Sequence, residues 1–191
     1  MGQRHETRTI ELSEFDRCLI GVLSDTHGRP HPRLFPLLEE HQPSLILHAG
    51  DVGTLDLIDE LQAVCPTVFV RGNVDPVGPM WPDSVSLRLK VGNNFSVDLL
   101  LLHVALAHLR LNKEAADELR RHPAQLVVFG HSHIPFVGTD RNVNLFNPGS
   151  AGPPRMGLPV TMGFIEIESV RLHFRHLDLR SGETWKPPQA L

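Results

Sequence analysis

The sequence predicts an α/β protein in which two packed sheets are covered on the outside by helices. Three observations carry this. Continuous apolar runs alternate with helix-like segments through the first part of the chain, in a βαβαβ order. The later part turns to period-two patterning broken by turn residues. Residues with oxygen and nitrogen donors stand just past the ends of the apolar runs, where a parallel sheet presents its chemistry.

The elements follow in order. Residues 1–16 form an N-terminal extension in which Thr7, Thr9 and Glu11 alternate with less polar neighbours, open to either an added edge strand or a loose arm. Residues 18–23 are a strand buried on both faces. Helical spacing covers 33–41 and 54–64; in the second, Leu55, Leu57, Ile58, Leu61 and Val64 make the apolar face and Thr54 the N-cap. Strands are predicted at 44–48 and 67–70. Residues 85–91 alternate as a half-exposed strand, Gly92-Asn93-Asn94 turns, and 95–102 returns as its hairpin partner. A short charged helix over 113–121 precedes a strand at 125–129. Strands at 142–146, 160–168 and 170–177 complete the domain, with Ser169 near the last turn. One domain over 17–185 and a tail over 186–191 containing Pro187-Pro188 are expected.

Composition excludes several classes. The net charge of −4 and the absence of a Lys/Arg-rich stripe argue against bulk nucleic acid as a partner. No window approaches the roughly 18 apolar residues of a membrane span, and residues 1–16 lack the apolar core of a secretory signal, so a cytoplasmic protein without membrane contact is expected. Cys18 and Cys65 read as two buried free thiols.

Five segments carry the chemistry: Asp25-Thr26-His27, Gly50-Asp51, Gly72-Asn73-Val74-Asp75, His103, and Gly130-His131-Ser132-His133. Each follows an apolar run. Carboxylates, an amide and imidazoles are the donors that two neighbouring divalent cations require. Asp51, past a buried strand, has little structural work and is costly to desolvate without a positive partner. Asn73 offers a hard neutral oxygen. His103 leans on its companions, with His108 as a rival. His131 and His133, two apart on an extended segment, would point to opposite sides and serve different metals. Asn147-Pro148-Gly149-Ser150 is a rigid turn whose amides could meet phosphate oxygens. Arg155 reads equally as a phosphate contact or a surface charge. His5, His31, His41, His122, His173 and His176 read as surface or packing residues, and His48 as core or as support for the ligands.

This series of motifs resembles the calcineurin-like metallophosphoesterases, and among them the small bacterial and archaeal phosphodiesterase branch. The resemblance spans nearly the whole chain. It implies a four-layer α/β/β/α sandwich of two mixed sheets flanked by helices. It implies one metal held by Asp25, His27, Asp51 and His133 and a second by Asp51, Asn73, His103 and His131, with Asp51 bridging. Mn²⁺ is the expected cation, with Ni²⁺, Zn²⁺, Mg²⁺ or Fe as alternatives. The implied activity is hydrolysis of a small phosphodiester or phosphomonoester by in-line attack of a metal-bridging hydroxide. Asp51, Asn73, Asp75 and His103 form the implied catalytic set, with Asp75 orienting the ligands and Asn73 and Arg155 meeting substrate. A homodimer or homotetramer is also implied. Two departures stand out. Val74 occupies the position after Gly-Asn where many members carry a histidine that helps the leaving group, and Val104-Ala105 follows His103 where the branch has Gly-His. The rival reading is a catalytically weak scaffold or protein-binding module on the same fold.

Overall fold

The computed structural model describes residues 4–12, 17–92, 95–155, 157–168 and 171–186. The expected turn residues Asn93-Asn94 and Ser169, and the end of the tail from residue 187, lie outside the described residues. In chain order the elements are β1 (His5–Leu12), β2 (Arg17–Leu23), α1 (Leu34–His41), β3 (Leu45–His48), α2 (Leu55–Val64), β4 (Thr67–Phe69), β5 (Ser84–Val91) and β6 (Phe95–Leu102). There follow β7 (Leu106–Ala107), β8 (Arg110–Leu111), α3 (Lys113–Arg121), β9 (Leu126–Val128), β10 (Phe136–Asp140), β11 (Val143–Asn147), β12 (Thr161–Glu168), β13 (Arg171–Asp178) and β14 (Thr184–Trp185).

Two six-stranded mixed sheets result, ordered β14-β13-β12-β2-β3-β4 and β1-β5-β6-β9-β11-β10. In the first, β2, β3 and β4 are parallel neighbours, so their C-terminal ends share one edge. In the second, β6, β9 and β11 are parallel. The antiparallel β5–β6 pair is the expected hairpin. Residues 5–12 take the edge-strand alternative, parallel to β5.

Strand alternation builds three apolar layers. Ile20, Val22, Leu45 and Leu47 from one sheet meet Leu99, Leu101, Leu126 and Val128 from the other between the sheets. Residues of opposite parity face outward: Leu23 and Ile46 against Leu34, Leu38, Ile58 and Leu61 of α1 and α2, and Leu100 and Val127 against Ala115 and Ala116 of α3. This is why the central strands read as uninterrupted apolar runs. The four-layer α/β/β/α order follows. Each leucine-sized side chain so buried contributes about 1.5–3 kcal/mol, enough in aggregate to hold strained loops at the strand ends.

The helix ends follow local chemistry. Thr54 caps α2, accepting from Leu57 N, and Asn112 caps α3, accepting from Ala115 N. The first helix starts at Leu34, one residue later than its spacing suggests, with Arg33 as a cap that makes no side-chain bond. Cys18 is buried, but Cys65 is only half-buried, and the two are not disulfide-bonded. Among the described residues no helix is long and apolar enough to cross a membrane.

Candidate metal centre

The loops after β2 and β3 run side by side beyond their strands. Asp25 N–H donates to Gly50 O at 3.0 Å, His27 N–H to Asp51 O at 2.9 Å and Gly28 N–H to Val52 O at 2.7 Å. The loop after β9 joins them, because His131 N–H donates to Asp25 Oδ2 at 3.0 Å. Ten non-glycine residues among those described have left-handed φ, and five are Asp25, His27, Asp51, His131 and His133, at 51° to 69°. Such a backbone costs about 1–3 kcal/mol per residue and persists only where its surroundings enforce it.

Close approach fixes two glycines. A Cβ on Gly72 would lie 2.2 Å from both Asp51 N and Asp51 Oδ1. A Cβ on Gly50, at φ +88°, would lie 2.7 Å from His103 Nδ1. Both loops therefore press against the side chains they position.

Two donor clusters form, Asp25–His27–His133 and Asp25–Asp51–His103. Asp51 faces both: Oδ2 lies 3.8 Å from His27 Nε2, and Oδ1 lies 3.4 Å from His103 Nε2. Asp25 Oδ1 lies 3.3 Å from His133 Nε2. Yet Asp25 Oδ1 and His103 Nε2 are buried without a hydrogen-bond partner. Buried polar atoms are rarely left so, and donors that converge without bonding one another fit a shared cation.

Neighbours set the protonation. His103 Nδ1 meets Ala49 O at 2.8 Å. A carbonyl only accepts, so Nδ1 carries a proton, which leaves Nε2 as the ring atom that faces Asp51. Burial alone would raise the Asp51 carboxyl, but His103 and the Val74 amide outweigh it and hold it well below the carboxylate range. Asp25 also ends lowered, burial being outweighed by contacts with His133 and Ser24. His103 is raised, since Asp51 and Ala49 overcome its burial. His27 is lowered, by burial first and by Arg155 after the opposing pull of Asp51.

The remaining candidates fall into place around these clusters. Asp75 accepts from Val52 N (3.0 Å), Gly53 N (2.7 Å) and Gly72 N (2.7 Å), which ties the Asp51 and Asn73 loops together. Its carboxylate is thus spent on backbone amides. Asn73 and His131 are exposed at the rim, and His131 lies outside both donor clusters. Asn73 shares a cavity of about 240 Å³ with His103, and the His131 ring centroid lies 5.2 Å from that of His103. Arg155 Nη2 lies 3.2 Å from His27 Nε2, so this guanidinium does reach the centre. His108, the rival to His103, is exposed in a turn at φ 50°.

The model of the calcineurin-like phosphoesterase superfamily domain matches residues 18–170. The chain belongs to this superfamily. This phosphoesterase domain is 30% identical to a probable metallophosphoesterase of Methanocaldococcus jannaschii over 84% of each chain. Its fold is similar to vacuolar protein sorting 29 of Cryptosporidium parvum, with a TM-score of 0.70 at 18% identity, covering 88% of this chain and 95% of that one. It is similar also to YfcE, a phosphoesterase from E. coli, with a TM-score of 0.58 at 20% identity, over 87% and 96%.

Two expectations are corrected in the phosphoesterase domain. His131 and His133 do not sit on an extended segment; both are left-handed, and loop curvature rather than strand alternation separates their rings. The Asn147–Ser150 turn is no phosphate cradle. Gly149 N–H is taken by Asn147 Oδ1 at 2.9 Å, and Ser150 Oγ–H donates to Asp25 O at 3.0 Å, so the buried turn props the Asp25 loop from behind. Sequence reasoning also missed Arg71, which lines the cavity with Asn73 and pairs with Asp83. Its place between a strand and Gly72 was the available signal.

Proposed function

We propose that the chain is a dinuclear-metal phosphodiesterase acting on small phosphodiesters. The observation that carries this reading is Asp51, whose two oxygens divide between His27 and His103 beside buried, partnerless donor atoms. Asp25, His27, Asp51 and His133 would hold one divalent cation, and Asp51, Asn73, His103 and His131 the other, with Mn²⁺ the preferred occupant. Bound there, such a pair supplies activation of water near neutral pH and charge neutralisation at phosphorus.

The chain's own residues do the rest. Asp75 fixes the loops that present Asp51 and Asn73, and the Ala49 carbonyl fixes the His103 tautomer. Arg155 brings a guanidinium suited to a phosphate oxygen. Two cavities flank the centre. One, of mixed lining with Arg71, Asp83 and Glu114, reaches Asn73 and His103; the other, about 270 Å³ and mostly apolar, reaches His131, Phe129 and Ile134. Two arms of a diester suit this arrangement better than a single ester group. Val74 is 55% exposed beside Asn73 and donates no proton from its side chain, so leaving groups that depart unprotonated are favoured.

A second reading, a protein-binding module, has its own support. The fold is similar to vacuolar protein sorting 29, and exposed Leu109, Ile134 and Val137 form apolar surface. The deciding experiment is hydrolysis of a bis-nitrophenyl phosphodiester by the purified chain with Mn²⁺, Ni²⁺, Zn²⁺ or Mg²⁺. Metal-stimulated turnover abolished by His131→Ala supports the enzyme; no turnover with any of the four would sink it.

A further inference from the structure

The pair Val104-Ala105, which the metal centre leaves unexplained, has a defined place in the structure. Val104 lines both cavities beside the centre, so it stands as the wall between them. Ala105, Phe129 and Gly130 are the buried lining residues of the apolar cavity and form its floor. Leu109, 72% exposed, and Ile134, 51% exposed, stand at its mouth. His131 lines it too, with its ring centroid 5.2 Å from that of His103. The cavity is therefore continuous with the metal centre.

Much of the polar capacity in this cavity is already spent. Ser132 Oγ accepts from Ile134 N–H at 3.3 Å and from Asn147 Nδ2 at 3.2 Å. Gly130 N–H donates to His103 O at 3.0 Å, and Gly130 O accepts from Asn147 Nδ2 at 2.8 Å. A hydroxylated or charged group placed on this floor would lose water without regaining its hydrogen bonds. An apolar group gains by the same burial. The cavity across Val104 differs in kind, with Arg71, Asp83, Asn112 and Glu114 in its walls. Continuity through His131 singles out an arm of the substrate, rather than a separate partner, as the occupant.

We propose that this cavity is the subsite for an uncharged, apolar ester arm, so that the substrates are phosphodiesters with one apolar and one polar arm divided by Val104. The proposal rests on the phosphodiesterase reading above and names its substrate class. Leu109, in the turn between β7 and β8, and Ile134 are the specificity residues, because they flank the arm and stand apart from the metal donors. Val104-Ala105 makes the subsite separate and apolar. A glycine at 104 would remove the wall between the cavities, and a histidine at 105 would bring polar nitrogens to the floor.

The test uses phosphonates, which carry a single arm on a carbon–phosphorus bond that ester hydrolysis does not cleave. Binding of methyl-, butyl- and benzylphosphonate to the Mn²⁺-loaded chain is read by titration calorimetry. The tighter of the two larger ligands is expected to bind at least about tenfold more strongly than methylphosphonate, and it names the arm as alkyl or aryl. Leu109→Asn and Ile134→Asn are each expected to shrink that ratio at least about threefold. Asparagine suits the left-handed backbone of Leu109, so the first variant keeps the turn. A general loss of structure would weaken all three ligands alike and leave the ratio intact. Equal affinities across the series, or a ratio unchanged in both variants, would overturn the subsite while methylphosphonate binding preserves the metal-centre reading. Should methylphosphonate itself fail to bind with Mn²⁺ present, that reading falls and the subsite falls with it.

Discussion

Asp25, His27, Asp51, His131 and His133 stand on left-handed loop backbone, whereas His5 and Glu118 stand inside a strand and a helix free of such strain. The difference teaches what each kind of backbone can deliver. Regular elements hold His5 and Glu118 at no conformational cost, and with His122, just past α3, these form a compact cluster of two stacked imidazoles and a carboxylate. On the proposed reading two carboxylates and four imidazoles gather around a pair of cations; that demands loops that curl, and each curled residue costs about 1–3 kcal/mol. Neighbouring loops carry that cost through the ladder from Asp25 to Gly28 and through the three amides on Asp75.

Breaking the loop-built centre has the largest expected effect. Asp51→Asn removes the group that faces both clusters, and kcat/KM for a nitrophenyl diester is expected to fall by more than about a hundredfold. Full activity with metal content unchanged would refute the bridging role. Next comes pH. Burial, outweighing the pull of Asp75 and Asp25, pushes His48 down to about 4 from an ordinary 6.5. Between these values the unfolded chain binds more protons, so stability rises with pH, and it is lost as pH falls from 6.5 toward 4. The contribution is on the order of 3 kcal/mol. Urea midpoints in chelator should show this slope, and His48→Asn should flatten it.

Smaller effects sharpen the contrast. Gly72→Ala is expected to cost about 1–3 kcal/mol by forcing a Cβ onto Asp51, with a matching loss of bound metal. Val74→His adds a donor beside Asn73 and is expected to raise turnover of a poor-leaving-group ester at least about tenfold, with little change for nitrophenyl esters. His5→Gln, measured in chelator, should cost about 1 kcal/mol or less, because β1 keeps its backbone ladder with β5. A cost as large as that of Gly72→Ala would erase the distinction between loop-built and element-built clusters.

How much was legible follows from the same contrast. The central strands declared themselves because residues such as Ile46 and Val127 are buried on the face opposite Leu45 and Leu126, leaving no polar position in the run. The donors after them were legible by their placement. The β7–β8 hairpin was not: two-residue strands are joined by His108-Leu109, both left-handed, without the Gly or Asn that marks such turns. β10 was hidden likewise by Pro135 before it and Gly138 within it. The Asn147–Ser150 turn read correctly as a turn, but no residue pattern says which way its amides face. The cluster of His5, Glu118 and His122 had no strand-end signature, and its members meet only through the pairing of β1 with β5 and the packing of α3.

One feature of the sandwich bears on how the molecule comes apart. Asp25, His27, Asp51 and Asn73 follow strands of one sheet, while His103, His131 and His133 follow strands of the other. Neither sheet alone offers the full donor set. On the proposed reading, cations held across that seam must leave before the sheets separate, so metal loading should act mainly on the unfolding rate. The loaded chain should outlast the metal-free one in denaturant by a kinetic margin, a lifetime set at the seam rather than in the core.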